Sequence, residues 1–331
     1  MKAILTKLFS GKTLSFDEAK NVMLGVSTHG YNNAQLAAFM SVFLMRAIAP
    51  QELSGFSAAI RETQTKLNIN ADNAVDIVGT GGDGKDTFNI STLSCFVLAG
   101  ASYKVVKHGN YGASSASGAS NALENCGAKF TNNPDILQRS LDESNMLYMH
   151  APLFNSALKV VAPARKELGV RTFFNLLGPL LNPLKPKNML LGVYSLKLVR
   201  LYKYILENTV DNYAIVHSLD GYDEISLTGK FKIASSKNEG VFAPEDLGLP
   251  RCKQSDLGCQ SNAQIAKEIF IDVLNCNATP QQENCVLANS AAAIGILEKG
   301  KSFAECLEIA RESLRGKKAL ACFKKYLEIN K

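Results

Sequence analysis

A chain of 331 residues, 46% hydrophobic and 20% charged, has the composition of an ordinary globular protein with room for one large domain and a smaller one. Its 36 basic and 30 acidic residues give a net charge of +6, an excess that favours small anions but lacks the clustering of a nucleic-acid footprint. With no run of 18 apolar residues and no secretory leader, the expected setting is the cytoplasm without a membrane partner, and eight cysteines lacking any CxxC pair read as reduced thiols.

Residues 1–70 predict a small helical domain. Ser15 with Glu18 forms a capping box ahead of Phe16, Ala19, Val22 and Met23 at helical spacing. Asn32 with Gln35 opens the apolar stretch that runs to Met45, and Pro50 suits the first turn of a third helix through Leu67. From Ala74 the pattern changes to short β-branched runs: Val75 to Val78, Lys104 to Val106, Met189 to Val193 and Ala214 to Val216. Each is followed by enough chain for a helix, which predicts an α/β domain over 71–331 with a mostly parallel central sheet. Mid-chain helices near 160–185 are expected to join the helical domain. Asn289 to Leu297 and Ser302 to Leu314 predict two late helices, the second opened by Ser302 and Glu305.

A glycine loop follows the first strand, in Gly79-Thr-Gly-Gly82-Asp83-Gly84-Lys85-Asp86-Thr87-Phe-Asn89-Ile90-Ser91-Thr92. Glycines let successive N–H groups converge on a phosphate, and the hydroxyls of Ser91 and Thr92 stand beside the positive end of the helix that follows. Two familiar spacings overlap here and both fail. Gly79, Gly81 and Gly84 match a dinucleotide fingerprint, but no Asp or Glu occurs from Thr87 to Leu123 to hold a ribose hydroxyl. Gly79, Gly84 and Lys85 match a Walker A loop, but Asp86 stands where a magnesium-binding hydroxyl belongs. Asp83 suits sugar hydroxyls or a metal network better than a bare phosphate cradle.

The acid-free tract continues into Lys107-His108-Gly109-Asn110-Tyr111-Gly112-Ala113-Ser114-Ser115, a second strand followed by small residues. Two such loops at the carboxyl edge of one parallel sheet provide adjacent anion sites, which suits a diphosphate.

These blocks, together with GVRTFFNLLGPLLNP at 169–183 and DGYDEIS at 220–226, resemble the anthranilate phosphoribosyltransferases in order and spacing over nearly the whole chain. The resemblance implies a helical domain joined to an α/β domain of the nucleoside phosphorylase and phosphoribosyltransferase type, and a homodimer. It implies transfer of a phosphoribosyl group from phosphoribosyl pyrophosphate to anthranilate in tryptophan biosynthesis, and it leaves open an association with anthranilate synthase. By the same resemblance Gly79, Gly82, Asp83, Thr87, Asn89 through Thr92, Lys107 through Ser115 and Ala119 hold the donor. Gly79, His108, Asn110 and Arg165 border the acceptor, with Arg165 pairing its carboxylate. Ser91, Asp223 and Glu224 go with Mg²⁺, the last two as hard oxygen ligands beside a diphosphate.

No nucleophile or base is expected: departure of the diphosphate leaves positive charge on the ribose ring and a neutral aryl amine attacks, with closure of the domains excluding water. Three positions depart from the family pattern. Tyr111 replaces an arginine, Ala119 replaces a serine, and Asn155-Ser156 replaces a His-Pro pair near the acceptor. The rival readings are a pyrimidine nucleoside phosphorylase, against which Asp223 and Glu224 argue, and a nucleic-acid-binding relative without turnover, which would need a basic face.

Overall fold

A computed structural model of the chain describes residues 1–28, 30–112, 117–155 and 157–331. Its elements in chain order are α1 (Lys2–Phe9), α2 (Phe16–Ser27), α3 (Asn33–Met45), α4 (Pro50–Thr63), β1 (Val75–Gly79), α5 (Ile90–Gly100), β2 (Val105–Gly109), α6 (Ala119–Asn125), α7 (Pro134–Ser144) and β3 (Met146–His150). Then follow α8 (Ala151–Phe154), α9 (Ala157–Leu168), β4 (Asn188–Gly192), α10 (Leu196–Leu206), β5 (Asn212–Ser218), β6 (Phe231–Ser235), β7 (Glu239–Phe242), α11 (Ala263–Leu274), α12 (Pro280–Leu297), α13 (Phe303–Arg315) and α14 (Lys318–Ile329). Among the described residues no helix is long and apolar enough to cross a membrane.

Two compact units emerge, one of Met1–Leu67 with Ala151–Lys185 and one of Asn68–His150 with Pro186–Lys331. In the helical unit the capping boxes at Ser15 and Asn32 form as their spacing predicts, each side chain taking an N–H three residues on. Pro50 occupies the first turn of α4, where its missing N–H costs nothing. That helix stops at Thr63, short of the expected Leu67, because Gln64 turns to extended backbone and spends its side-chain amide on Asn155 Oδ1 and the Leu181 carbonyl, both at 2.6 Å. The returning segment, which begins at Ala151, is fastened to the first by Phe173, whose ring meets Phe39, Phe43 and Phe56 with centroids 4.8–5.8 Å apart.

In the α/β unit seven strands form one sheet in the order β3-β2-β1-β4-β5-β6-β7. The first five are parallel and β6 and β7 are antiparallel. All four expected strands are present. Strand β3 was hidden in Met-Leu-Tyr-Met-His, which lacks β-branched residues, and β7 lies at an exposed edge where burial imposes no pattern. Helix α5 is buried along nearly all its length and packs with α12, α13 and α14 in a core that includes Phe96, Phe270 and Phe323. Helix α12 begins well before the expected Asn289, at Pro280, under a Thr279–Gln282 capping box. The sheet order reverses at β1: its successor β2 lies on one side and β4 on the other, the switch point at which open α/β folds bind ligands beyond the strand ends.

Candidate active site

The carboxyl ends of β1, β2 and β5 feed three loops that meet within the α/β unit. Gly81, Gly82 and Gly84 take φ of +62°, +81° and +73°, backbone that glycine adopts without cost, and the loop then enters α5 through Asn89. Asn89 caps the helix by accepting the Thr92 N–H at 2.9 Å. Its Nδ2 donates to the Ser117 carbonyl at 2.6 Å, and Ser117 Oγ donates to the Thr87 carbonyl at 2.6 Å, so the first two loops are stitched together.

The acidic loop closes on the same place. The Gly81 N–H donates to Asp223 Oδ2 at 2.7 Å, and the Thr87 hydroxyl favours the ionised form of the Glu224 carboxyl. Gly79 and Gly192 stand opposite each other in the β1–β4 ladder. A Cβ on Gly79 would lie 2.5 Å from Asp223 Oδ2, and one on Gly192 would lie 1.6 Å from the Asp223 carbonyl oxygen. Only bare backbone at these two strand ends lets the Asp223 loop approach so closely. Behind the loop, buried Asn289 on α12 clamps Ile225, accepting its N–H at 3.0 Å and donating to its carbonyl at 2.9 Å.

Lys107, 2% exposed, sits beneath this cluster. Its ammonium donates to the Ile77 carbonyl at 2.5 Å and to Ser91 Oγ at 3.1 Å, and it forms no ion pair among the described residues. Burial raises the carboxyls of Asp83, Asp223 and Glu224, and the Lys107 charge works against the rise at the last two. Asp83, which also faces the Asp223 charge, is pushed up to about 7. Glu224 is raised well above the ordinary carboxyl range, first by burial and then by Asp223 and Asp83, and its buried Oε1 has no hydrogen-bond partner among the described residues.

That orphaned oxygen and the hard donor set fit a magnesium ion. Among the described residues no three His, Cys, Asp or Glu side chains form a preassembled metal cage. Ser91 joins Lys107 and Asn89 Oδ1 rather than either carboxylate.

The other expected donor residues divide into several groups. Ile90 is buried in the first turn of α5, and Thr92 Oγ1 is buried without a partner among the described residues. Gly82 lies in the first loop, Gly109 is the last residue of β2, and His108 is buried in the same strand. Asn110 turns its Oδ1 back onto the Tyr111 N–H at 2.8 Å, and the Gly112 N–H donates to Asn121 Oδ1 at 2.9 Å. Tyr111 anchors its hydroxyl on Glu124 at 3.0 Å and its ring edge-on to His150, while Ala119 opens α6. Ala113, Ser114, Ser115 and Ser156 lie outside the described residues. Asn155 is buried and donates to the Ala151 carbonyl at 3.0 Å. Sequence reasoning missed Ser117, Gly192 and Asn289. Only Gly192 carried a local signal, a glycine inside an expected strand.

Arg165 belongs to the helical unit, on α9. Its guanidinium lies 5.5 Å from the Phe174 ring centroid, Nη2 donates to Asn175 Oδ1 at 3.4 Å, and burial lowers its pKa. No carboxylate pairs with it among the described residues. Glu167 instead accepts from Asn33, and Glu143 pairs with Lys325.

Because Asp83 holds its proton more tightly folded than unfolded, its contribution to stability is complete below about pH 4 and is lost as the pH rises through about 7. The Tm of the metal-free protein should therefore fall between about pH 4 and 7, and Asp83→Asn should flatten that fall. An unchanged slope in the variant, measured by scanning calorimetry, would contradict the assignment.

Comparison with known proteins agrees with this geometry. Residues 71–320 match the glycosyl transferase family α/β domain, and residues 2–63 match the helical bundle domain of that family. The anthranilate phosphoribosyltransferase of Bacteroides fragilis is 51% identical over 330 residues, covering 100% of both chains. The crystal structure of anthranilate phosphoribosyltransferase from Thermus thermophilus superposes with a TM-score of 0.91 at 30% identity over 98% of each chain. The Saccharomyces cerevisiae enzyme, solved in complex with PRPP and Mg, shares the fold with a TM-score of 0.90 at 24% identity, covering 98% of this chain and 96% of its own. On matches that span the whole chain, the protein belongs to the anthranilate phosphoribosyltransferase family.

Proposed function

We propose that the chain transfers the 5-phosphoribosyl group of phosphoribosyl pyrophosphate to the amine of anthranilate, giving N-(5-phosphoribosyl)anthranilate and pyrophosphate in tryptophan biosynthesis. The observation that carries this reading is the meeting of the glycine loop, buried Lys107 and the Asp223–Glu224 carboxyls around one set of strand ends. The shared name of the curated relatives and the ligands of the yeast structure support the same donor, acceptor and metal.

Within this reading Asp223 and Glu224 hold Mg²⁺ against the diphosphate, with Ser91 a further candidate ligand. Bound there, the ion would offset the charge of the departing pyrophosphate. Among the described residues two acceptors take N–H groups of Lys107, whose third can aim at an anion. The capped start of α5 and the Thr92 hydroxyl supply further donors to the donor phosphates. The remaining candidates at Gly79, Gly82, Asp83, Thr87, Asn89, Ile90, residues 107–115 and Ala119 complete the donor site. His108, Asn110 and Gly79 border the acceptor. Arg165, desolvated, braced on Phe174 and free of any carboxylate among the described residues, suits a bidentate pairing with the carboxylate of anthranilate. No side chain acts as nucleophile; catalysis is positioning and charge neutralisation. The reading extends to a homodimer acting in the cytoplasm and leaves room for association with anthranilate synthase.

Mixing the purified protein with anthranilate, phosphoribosyl pyrophosphate and Mg²⁺ should consume anthranilate fluorescence, and a chelator should stop the loss. Persistent fluorescence, or loss that ignores the chelator, would overturn the proposal. Arg165→Ala should raise the anthranilate KM roughly 10–100-fold, the weight of one lost charge-assisted pair, while the donor KM stays near wild type. Unchanged acceptor kinetics would remove Arg165 from the acceptor site.

A further inference from the structure

The Gly84-Lys85 pair resembles a Walker A loop, yet the donor site described above leaves Lys85 without a role. In the structure its ammonium lies 4.6 Å from the centroid of the Tyr222 ring, and Tyr222 is only 2% exposed. The lysine stem crosses the acidic loop, where its Cε would be 3.6 Å from a Cβ placed on Gly221. At the other end of the same residue, the Lys85 N–H donates to Asp83 Oδ1 at 3.0 Å.

The glycine loop is therefore pinned to the acidic loop at two points. Near its start the Gly81 N–H holds Asp223, and at its end Lys85 rests on the neighbouring Tyr222. Between the pins sits Asp83, whose carboxyl faces that of Asp223. Gly81, Gly82 and Gly84 all take positive φ and give this stretch little side-chain restraint, so a clasp at the open end has work to do. Tyr222 offers an aromatic face already fixed by burial, and an ammonium above such a face gains electrostatic attraction with little ordering cost.

We propose that Lys85 is a positioning residue: its cation–π contact with Tyr222 holds the glycine loop in register with the Asp223–Glu224 pair and so sets affinity for the magnesium-bound diphosphate rather than the rate of transfer. The inference deepens the phosphoribosyl-transfer reading and rests on it.

The test compares Lys85→Met, Lys85→Arg, Tyr222→Phe and Tyr222→Leu at saturating anthranilate. Lys85→Met should raise the KM for phosphoribosyl pyrophosphate about 3–10-fold with kcat within about 2-fold of wild type. Lys85→Arg and Tyr222→Phe, which keep the cation and the ring, should stay close to wild type. Lys85→Met added to Tyr222→Leu should cost nothing more, as expected for one shared contact. An unchanged donor KM in Lys85→Met, an Arg variant as impaired as the Met variant, or additive losses in the double variant would overturn the proposal. A wild type without turnover would instead sink the functional reading. Calorimetric titration with magnesium pyrophosphate still tests the clasp then: weaker binding by Lys85→Met supports it and equal binding refutes it.

Discussion

Three carboxyl groups, Asp83, Asp223 and Glu224, are crowded at the ends of β1 and β5, and the local architecture is arranged to keep them there. Burial alone would discourage three acids in one place, since each resists ionising in a poor solvent and each repels the next. The chain compensates with the Gly81 amide, the Thr87 hydroxyl and the nearby Lys107 charge, which together soften the cost without removing it. What remains is a standing preference for positive charge: protons in the free protein, and a divalent cation once a diphosphate arrives to complete its coordination.

Several features that look unrelated follow from that constraint. Gly79 and Gly192 have no room for a side chain because the Asp223 loop lies against them. Asn289, deep on α12, exists as a buried amide because the backbone just beyond Glu224 must be fixed from behind. Lys107 is buried and, among the described residues, makes no ion pair, while its charge favours the ionised forms of Asp223 and Glu224 from a distance. The switch point of the sheet provides the geometry, and the loops provide the chemistry.

Much of this was legible in the sequence, and the reasons are specific. Capping boxes at Ser15, Asn32 and Ser302 and the β-branched runs of β1, β2, β4 and β5 are local signals, so they survived translation into structure. The glycine loop and Lys107 were readable because phosphate chemistry restricts residue type over a short span. Strand β3, built from Met, Leu, Tyr and His, carried no β-branched signature, and β7 is an exposed edge. Ser117, Gly192 and Asn289 gain their roles only from contacts with chain far away in sequence, which spacing alone does not encode. Tyr111 could be recognised as a departure, but only the structure shows that it anchors to Glu124 and His150.

The account stands or falls on whether the two loops and the acidic pair share one metal-bridged diphosphate. Crystals grown with Mn²⁺ and phosphoribosyl pyrophosphate, with anomalous diffraction recorded at the manganese edge, address this directly. The account predicts a manganese peak within coordination distance of the Asp223 or Glu224 carboxylate and of the diphosphate, with the diphosphate lying along the glycine loop. Manganese bound away from both carboxylates, or a diphosphate seated elsewhere on the α/β unit, would contradict it.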